Sequence, residues 1–199
     1  MIPRLLRLPA CLLLLSVLLT LSGCLYDYAP SGPVRDLDTW LLGQWAAQDK
    51  AGHQFTAVVT RENVDHYKVE FQGQGAAPQE FTGWISRVDD FSILVLKSQN
   101  EGDNYGKFAL YHYELMAKGK APVGGIGANR IRLSELQLDE STRTLDSTKL
   151  RAAIRKALKD GTLLVPHNVV VDLKTKNEAI PGSVIWSKTG SVTFNGETF

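Results

Sequence analysis

"FTAVVTRENVDHYKVEFQGQGAAPQEFTGWISRVDDFSILVL", Phe55 to Leu96, decides the fold. It holds four short runs: FTAVVT (Phe55 to Thr60), HYKVEF (His66 to Phe71), EFTGWI (Glu80 to Ile85) and FSILVL (Phe91 to Leu96). Each is alternating, β-branched or aromatic, and RENVD, QGQGAAP and RVDD between them are turn compositions. Side chains along a strand alternate between faces, so such runs build a sheet that buries one face. The intervals hold no helix, and consecutive strands therefore return antiparallel. GKFALYHYEL (Gly106 to Leu115) and IRLSELQL (Ile131 to Leu138) continue the pattern across NEGDN and GKAPVGGIGAN. The expected fold is mainly β, an antiparallel meander forming a small barrel or a curled sheet.

One helix interrupts this rhythm. LDSTKLRAAIRKALKDG offers Asp146 or Ser147 as N-cap, an apolar face of Leu150, Ala153, Ile154, Ala157 and Leu158, and Gly161 as stop. A C-terminal amphipathic helix packed on the sheet is predicted. Its basic face carries Lys149, Arg151, Arg155, Lys156 and Lys159, which suits either a solvated surface or anionic headgroups. Beyond it, LLVPHNVVVDLKT and SVIWSKTGSVTF read as two or three further strands, broken by Pro166 and Pro181.

Upstream, VRDLDTWLLGQW places Leu37, Trp40 and Leu41 on one helical turn that ends at Gly43. Gly43-Gln44-Trp45 resembles the first signature of lipocalins, a Gly-x-Trp entering the first barrel strand. The resemblance implies that Gly43 and Trp45 form a structural plug at the closed end, and it covers about residues 34–160. Asn104-Tyr105 in NYGKFAL resembles the family's second motif, with Asn104 where Asp would stand, and Arg143 takes the place of the family's arginine over the Trp ring.

The N-terminus answers where the protein resides. Arg4 and Arg7, a leucine run from Leu8 to Leu21 and small Ser22-Gly23 make an export signal over residues 1–23, too short for the ~20 apolar residues of a spanning helix. Leu21-Ser22-Gly23-Cys24 resembles the lipobox of bacterial lipoproteins. That resemblance implies cleavage before Cys24, diacylglyceryl transfer to its sulfur, and partner lipid at the cell envelope. Leu25, where an Asp would favour the inner membrane, implies the outer membrane facing the periplasm in a host with two membranes. Pro30, Ser31, Gly32 and Pro33 make residues 24–33 a lipidated tether, with Tyr26 and Tyr28 either at headgroup level or brushing the domain. Residues 34–199 then form a single β-rich domain.

Composition sets further bounds. The leader contains Arg4 and Arg7 but no acid, so 22 basic residues fall to 20 against 21 acidic ones, and no nucleic-acid partner is expected. Cys11 leaves with the leader, which removes any internal disulfide. His53, His66, His112 and His167 show no ligand spacing, so neither a metal nor a cofactor is expected. Gly124 to Gly127 lacks the lysine and helix of a phosphate loop, and Ser183 lacks a nucleophile elbow. His112 and Glu114 share a strand face, yet nothing completes a catalytic set around them.

Two non-enzymatic roles follow. One is an envelope lipoprotein whose β-domain has a structural or accessory binding role, with a protein as partner. The other is a lipocalin-like carrier of a small hydrophobic ligand, with Phe55, Val69, Phe81, Trp84, Phe91 and Tyr111 lining a pocket. An open apolar cavity favours the carrier; a packed interior favours the first role.

Overall fold

The computed structural model describes residues 25–34, 37–48, 53–116, 130–136, 138–163, 183–190, 193–194 and 197–198. Leu21, Ser22, Gly23, Cys24, the 124–127 glycines and His167 lie outside them. Eight strands form the body: β1 (Gly43–Gln48), β2 (Gln54–Arg61), β3 (Tyr67–Gly73), β4 (Gln79–Val88), β5 (Phe91–Ser98), β6 (Phe108–Met116), β7 (Arg130–Glu135) and β8 (Ser183–Gly190). Each pairs antiparallel with the next, and β8 returns to β1 to close the barrel. Closure leaves the eight barrel strands without a free edge, which a curled sheet would have left. The six alternating runs became β2 to β7. A two-stranded ladder, β9 (Thr193–Phe194) with β10 (Glu197–Thr198), follows.

Register sorts the side chains. Trp45 pairs with Ala57, Ala57 with Phe71, and Val59 with Val69, so these residues share the inner face. On β4, Phe81 and Ile85 belong to that inner core, whereas Trp84 and Val88 belong to a second core outside the barrel. The hairpin from β4 to β5 turns on Asp89 and Asp90, with Asp89 at φ 53°, a left-handed position that Asp tolerates better than most residues.

The helix α1 (Ser147–Asp160) covers that second core with Leu150 and Ile154 against Trp84, Ile93, Val95 and Leu110. Asp146 is its N-cap, accepting from the Lys149 amide at 2.9 Å, and Gly161 ends it at φ 69°. Arg155 reaches the β4–β5 turn with a two-pronged contact to Asp89, 2.8 to 3.1 Å long. The helix therefore lies between β7 and β8, and the strand that seals the barrel comes after it. Residues 34–160 do not contain the whole barrel.

The segment after Cys24 also lies on this outer surface. The Tyr26 amide donates to Phe108 O at 2.8 Å, the Phe108 amide donates back at 2.9 Å, and the Asp27 amide donates to Arg143 O at 2.9 Å. Tyr26 is fully buried in the second core, Trp84 Nε1 donates to Ser31 O at 3.1 Å, and the Ser31 and Ser86 hydroxyls bond each other. Residues expected to form a spacer are strapped to the barrel instead. They cover the outward face of Trp84, and Ser31 O satisfies its indole N–H.

Candidate functional site: the barrel interior

The interior encloses a cavity of about 420 Å³. At the ~30 Å³ of a water-sized group, that is room for roughly a dozen methylene-sized units, about one acyl chain. Phe55, Phe71 and Trp186 form one wall, with Phe55 and Phe71 stacked at 6.0 Å and Trp186 edge-on to Phe71 at 6.0 Å. Val69, Phe81, Leu94, Leu96, Ile131 and Leu133 extend the apolar lining. Gln79, Glu135 and the tyrosines Tyr67 and Tyr111 are its polar contributors. Such a lining favours an apolar body with few hydrogen-bonding groups.

One end of this barrel is sealed. The 3₁₀ turn Thr39–Leu41, capped by Asp38, crosses the end where β1 begins and β2 finishes. Trp45 Nε1 donates to Leu41 O at 2.8 Å, which fixes the indole beneath the turn. Tyr67 OH accepts from the Asp38 amide at 2.8 Å and donates to Asp38 O at 3.1 Å, and Tyr113 OH donates to Asp38 Oδ2 at 3.3 Å. Burial pushes the Tyr67 phenol well above its ordinary range; burial and the Asp38 carboxylate raise Tyr113 to about 12. These hydroxyls stay protonated and act as struts.

Gly43 opens β1, and Trp45 lies beneath the 3₁₀ turn. Gly43 has φ 139°, and a Cβ there would overlap Lys188 Cε and sit 3.0 Å from Gly190 O, so the β1–β8 seam requires glycine. The cation over the Trp45 ring is Lys188, with Nζ 5.9 Å from the centroid. Arg143 instead sits beside Glu140, 3.4 Å away, in the turn before α1. Burial lowers the Lys188 pKa from its usual value. Tyr105 is exposed in the β5–β6 connection, at the opposite end from Trp45.

Of the six expected pocket residues, Phe55, Val69, Phe81 and Tyr111 line the cavity. Trp84 and Phe91 do not. Both face outward into the second core, where Trp84 meets Phe108 edge-on at 5.9 Å and Phe91 stacks on His112 at 4.5 Å. Strand parity explains this: Phe81 and Trp84 are three residues apart and cannot share a face. Sequence reasoning missed Leu41, Ala57, Phe71, Leu94 and Trp186; parity within β3 places Phe71 with Val69, Ala57 follows from the parity of Phe55 on β2, and the others need the strand register or the 3₁₀ turn.

His112 Nδ1 lies 3.2 Å from Ser92 O on the outer face, and no group of three His, Cys, Asp or Glu is arranged for a metal among the described residues. A second depression beside α1, lined by Leu138, Ala153 and Lys156 among others, is half polar, and Lys156 already pairs with Asp160 at 2.6 Å. On the basic face, Lys149 pairs with Asp146 at 3.3 Å and Arg155 with Asp89, which supports the solvated reading of that face. No helix among the described residues is long and apolar enough to cross a membrane. No family model, no curated protein and no solved structure matches this chain.

Proposed function

We propose that this protein is a lipid-anchored envelope lipoprotein whose barrel is a non-catalytic carrier of a small hydrophobic ligand. The cavity of about 420 Å³, apolar on nearly every wall, carries this reading. A solidly filled barrel would have favoured a purely structural or accessory role, and the hollow interior supports the carrier over it. Anchorage rests on the lipobox, with Cys24 as the attachment point and Leu21, Ser22 and Gly23 as the recognition sequence, and on Leu25 for the outer membrane of a two-membrane host. Two or three acyl chains at ~0.8 kcal/mol per buried methylene hold a protein stably on a bilayer.

Two experiments separate these parts. Native mass spectrometry of the acyl-free domain, purified from cells, is expected to show a co-purifying small lipid. A clean apo mass, unchanged after incubation with long-chain alcohols, removes the carrier. Cys24→Ala is expected to abolish membrane partition, and a variant that still fractionates with membranes removes the anchor.

A further inference from the structure

We infer that the barrel stands with the end opposite the Thr39–Leu41 turn against the membrane, so that the cavity exchanges its ligand with the bilayer directly. This orientation rests on the anchored reading of Cys24. It follows from where Leu25, Tyr26 and Asp27 dock on the barrel. Leu25 lines the cavity, and Tyr26, fully buried, is paired in both directions with Phe108, the first residue of β6. Asp27 is held in turn by Arg143 O and by Lys107, whose Nζ is 3.9 Å from its carboxylate.

The start of β6 lies at the end opposite the Thr39–Leu41 seal, because β6 runs toward the end where β1 begins. Covalent linkage keeps Cys24 one Cα step of ~3.8 Å from Leu25, so the anchored reading puts its acyl groups beside that end. A free tether would have let the barrel tumble above the lipid. Strapped residues 26–34 give it no such slack.

The far end is well separated from that point. β4 has 10 residues, and at ~3.3 Å per residue and a tilt near ~40° it spans about 25 Å along the barrel axis. Two exposed tyrosines stand on the membrane-facing side, Tyr28 in the strapped segment and Tyr105 in the β5–β6 connection. Amphipathic rings of this kind favour the headgroup layer. Trp40 and Val64, exposed apolar side chains among the described residues of the sealed end, point to the aqueous side.

The test uses the full lipidated protein in phosphatidylcholine vesicles that contain a headgroup-nitroxide lipid. Because acylation occupies the Cys24 thiol, Asp103→Cys in the β5–β6 connection and Val64→Cys in the β2–β3 turn each provide one free thiol for a fluorophore on an exposed loop. The Asp103 site is expected to be quenched at least several-fold more strongly than the Val64 site. Equal quenching at the two sites, or stronger quenching at Val64, overturns the orientation. Intact mass read on the same samples separates the two layers of the argument. A mature chain without acyl mass overturns anchorage and orientation together, whereas an acylated chain with Val64 at the lipid overturns the orientation alone.

Discussion

Replacing Ala57 with Leu asks whether the barrel is hollow. Ala57 faces the cavity between Trp45 and Phe71, its register partners on β1 and β3. Leu adds three carbons, and at ~0.8 kcal/mol per buried methylene their transfer from water contributes about 2.4 kcal/mol. Ordering the longer side chain costs roughly 0.5–1 kcal/mol, which leaves a net gain of about 1.5 kcal/mol. In a domain of this size ~2–4 °C accompanies each kcal/mol, so Tm rises by roughly 3–6 °C. The same three groups take about 90 Å³ at ~30 Å³ each, a fifth of the cavity, so a bound long-chain alcohol is expected to weaken. Urea unfolding and alcohol titration of the acyl-free domain read both effects. A destabilisation of ~1–3 kcal/mol, the usual cost of overpacking a filled core, refutes the hollow interior.

Three further perturbations test the supports of the cavity. Gly43→Ala is expected to cost ~1–3 kcal/mol in urea unfolding, because it meets both the left-handed φ and the approach of Lys188 and Gly190. The Tyr113 phenol is raised in the folded state to about 12 by burial and by Asp38, so its contribution is complete below the ordinary phenol value of ~10 and is lost as pH rises toward 12. Tyr113→Phe should flatten the loss of Tm across that window. Asp89 has its carboxyl held below the usual range by the Arg155 guanidinium, so its contribution is present above about pH 4 and fades as pH falls further. Asp89→Asn should lessen the acid sensitivity of Tm, with a small effect at neutral pH because the pair is exposed.

The barrel was largely legible, because six strands carry alternation that depends only on one face being wet or less tightly covered. Antiparallel order followed from the short turns, and α1 from its caps and apolar stripe. Closure was less legible: it needs β8, whose partner β1 is distant in sequence and whose own run carries no sign of where it pairs. Composition misled at residues 30–33, where Pro, Ser and Gly read as spacer although the Ser31 carbonyl accepts from Trp84 and its hydroxyl bonds that of Ser86. Trp84 and Phe91 misled for the opposite reason. By type alone an aromatic residue in a barrel strand reads as inward, but the covering helix and strapped segment make the outer face apolar as well. Lys188 in place of Arg143 over Trp45 shows the same limit, since a cation on a ring can be supplied from any strand that borders it.

The most direct measurement of the central claim uses the cavity's own tryptophans. Trp45 and Trp186 line the interior, whereas Trp40 is exposed and Trp84 lies in the outer core. In a Trp40→Phe, Trp84→Phe background, titration with a long-chain alcohol brominated along its tail should quench the remaining emission saturably, at one alcohol per barrel. Ala57→Leu should weaken that saturation. Quenching that is absent, or that rises linearly without saturation, contradicts a ligand-holding barrel.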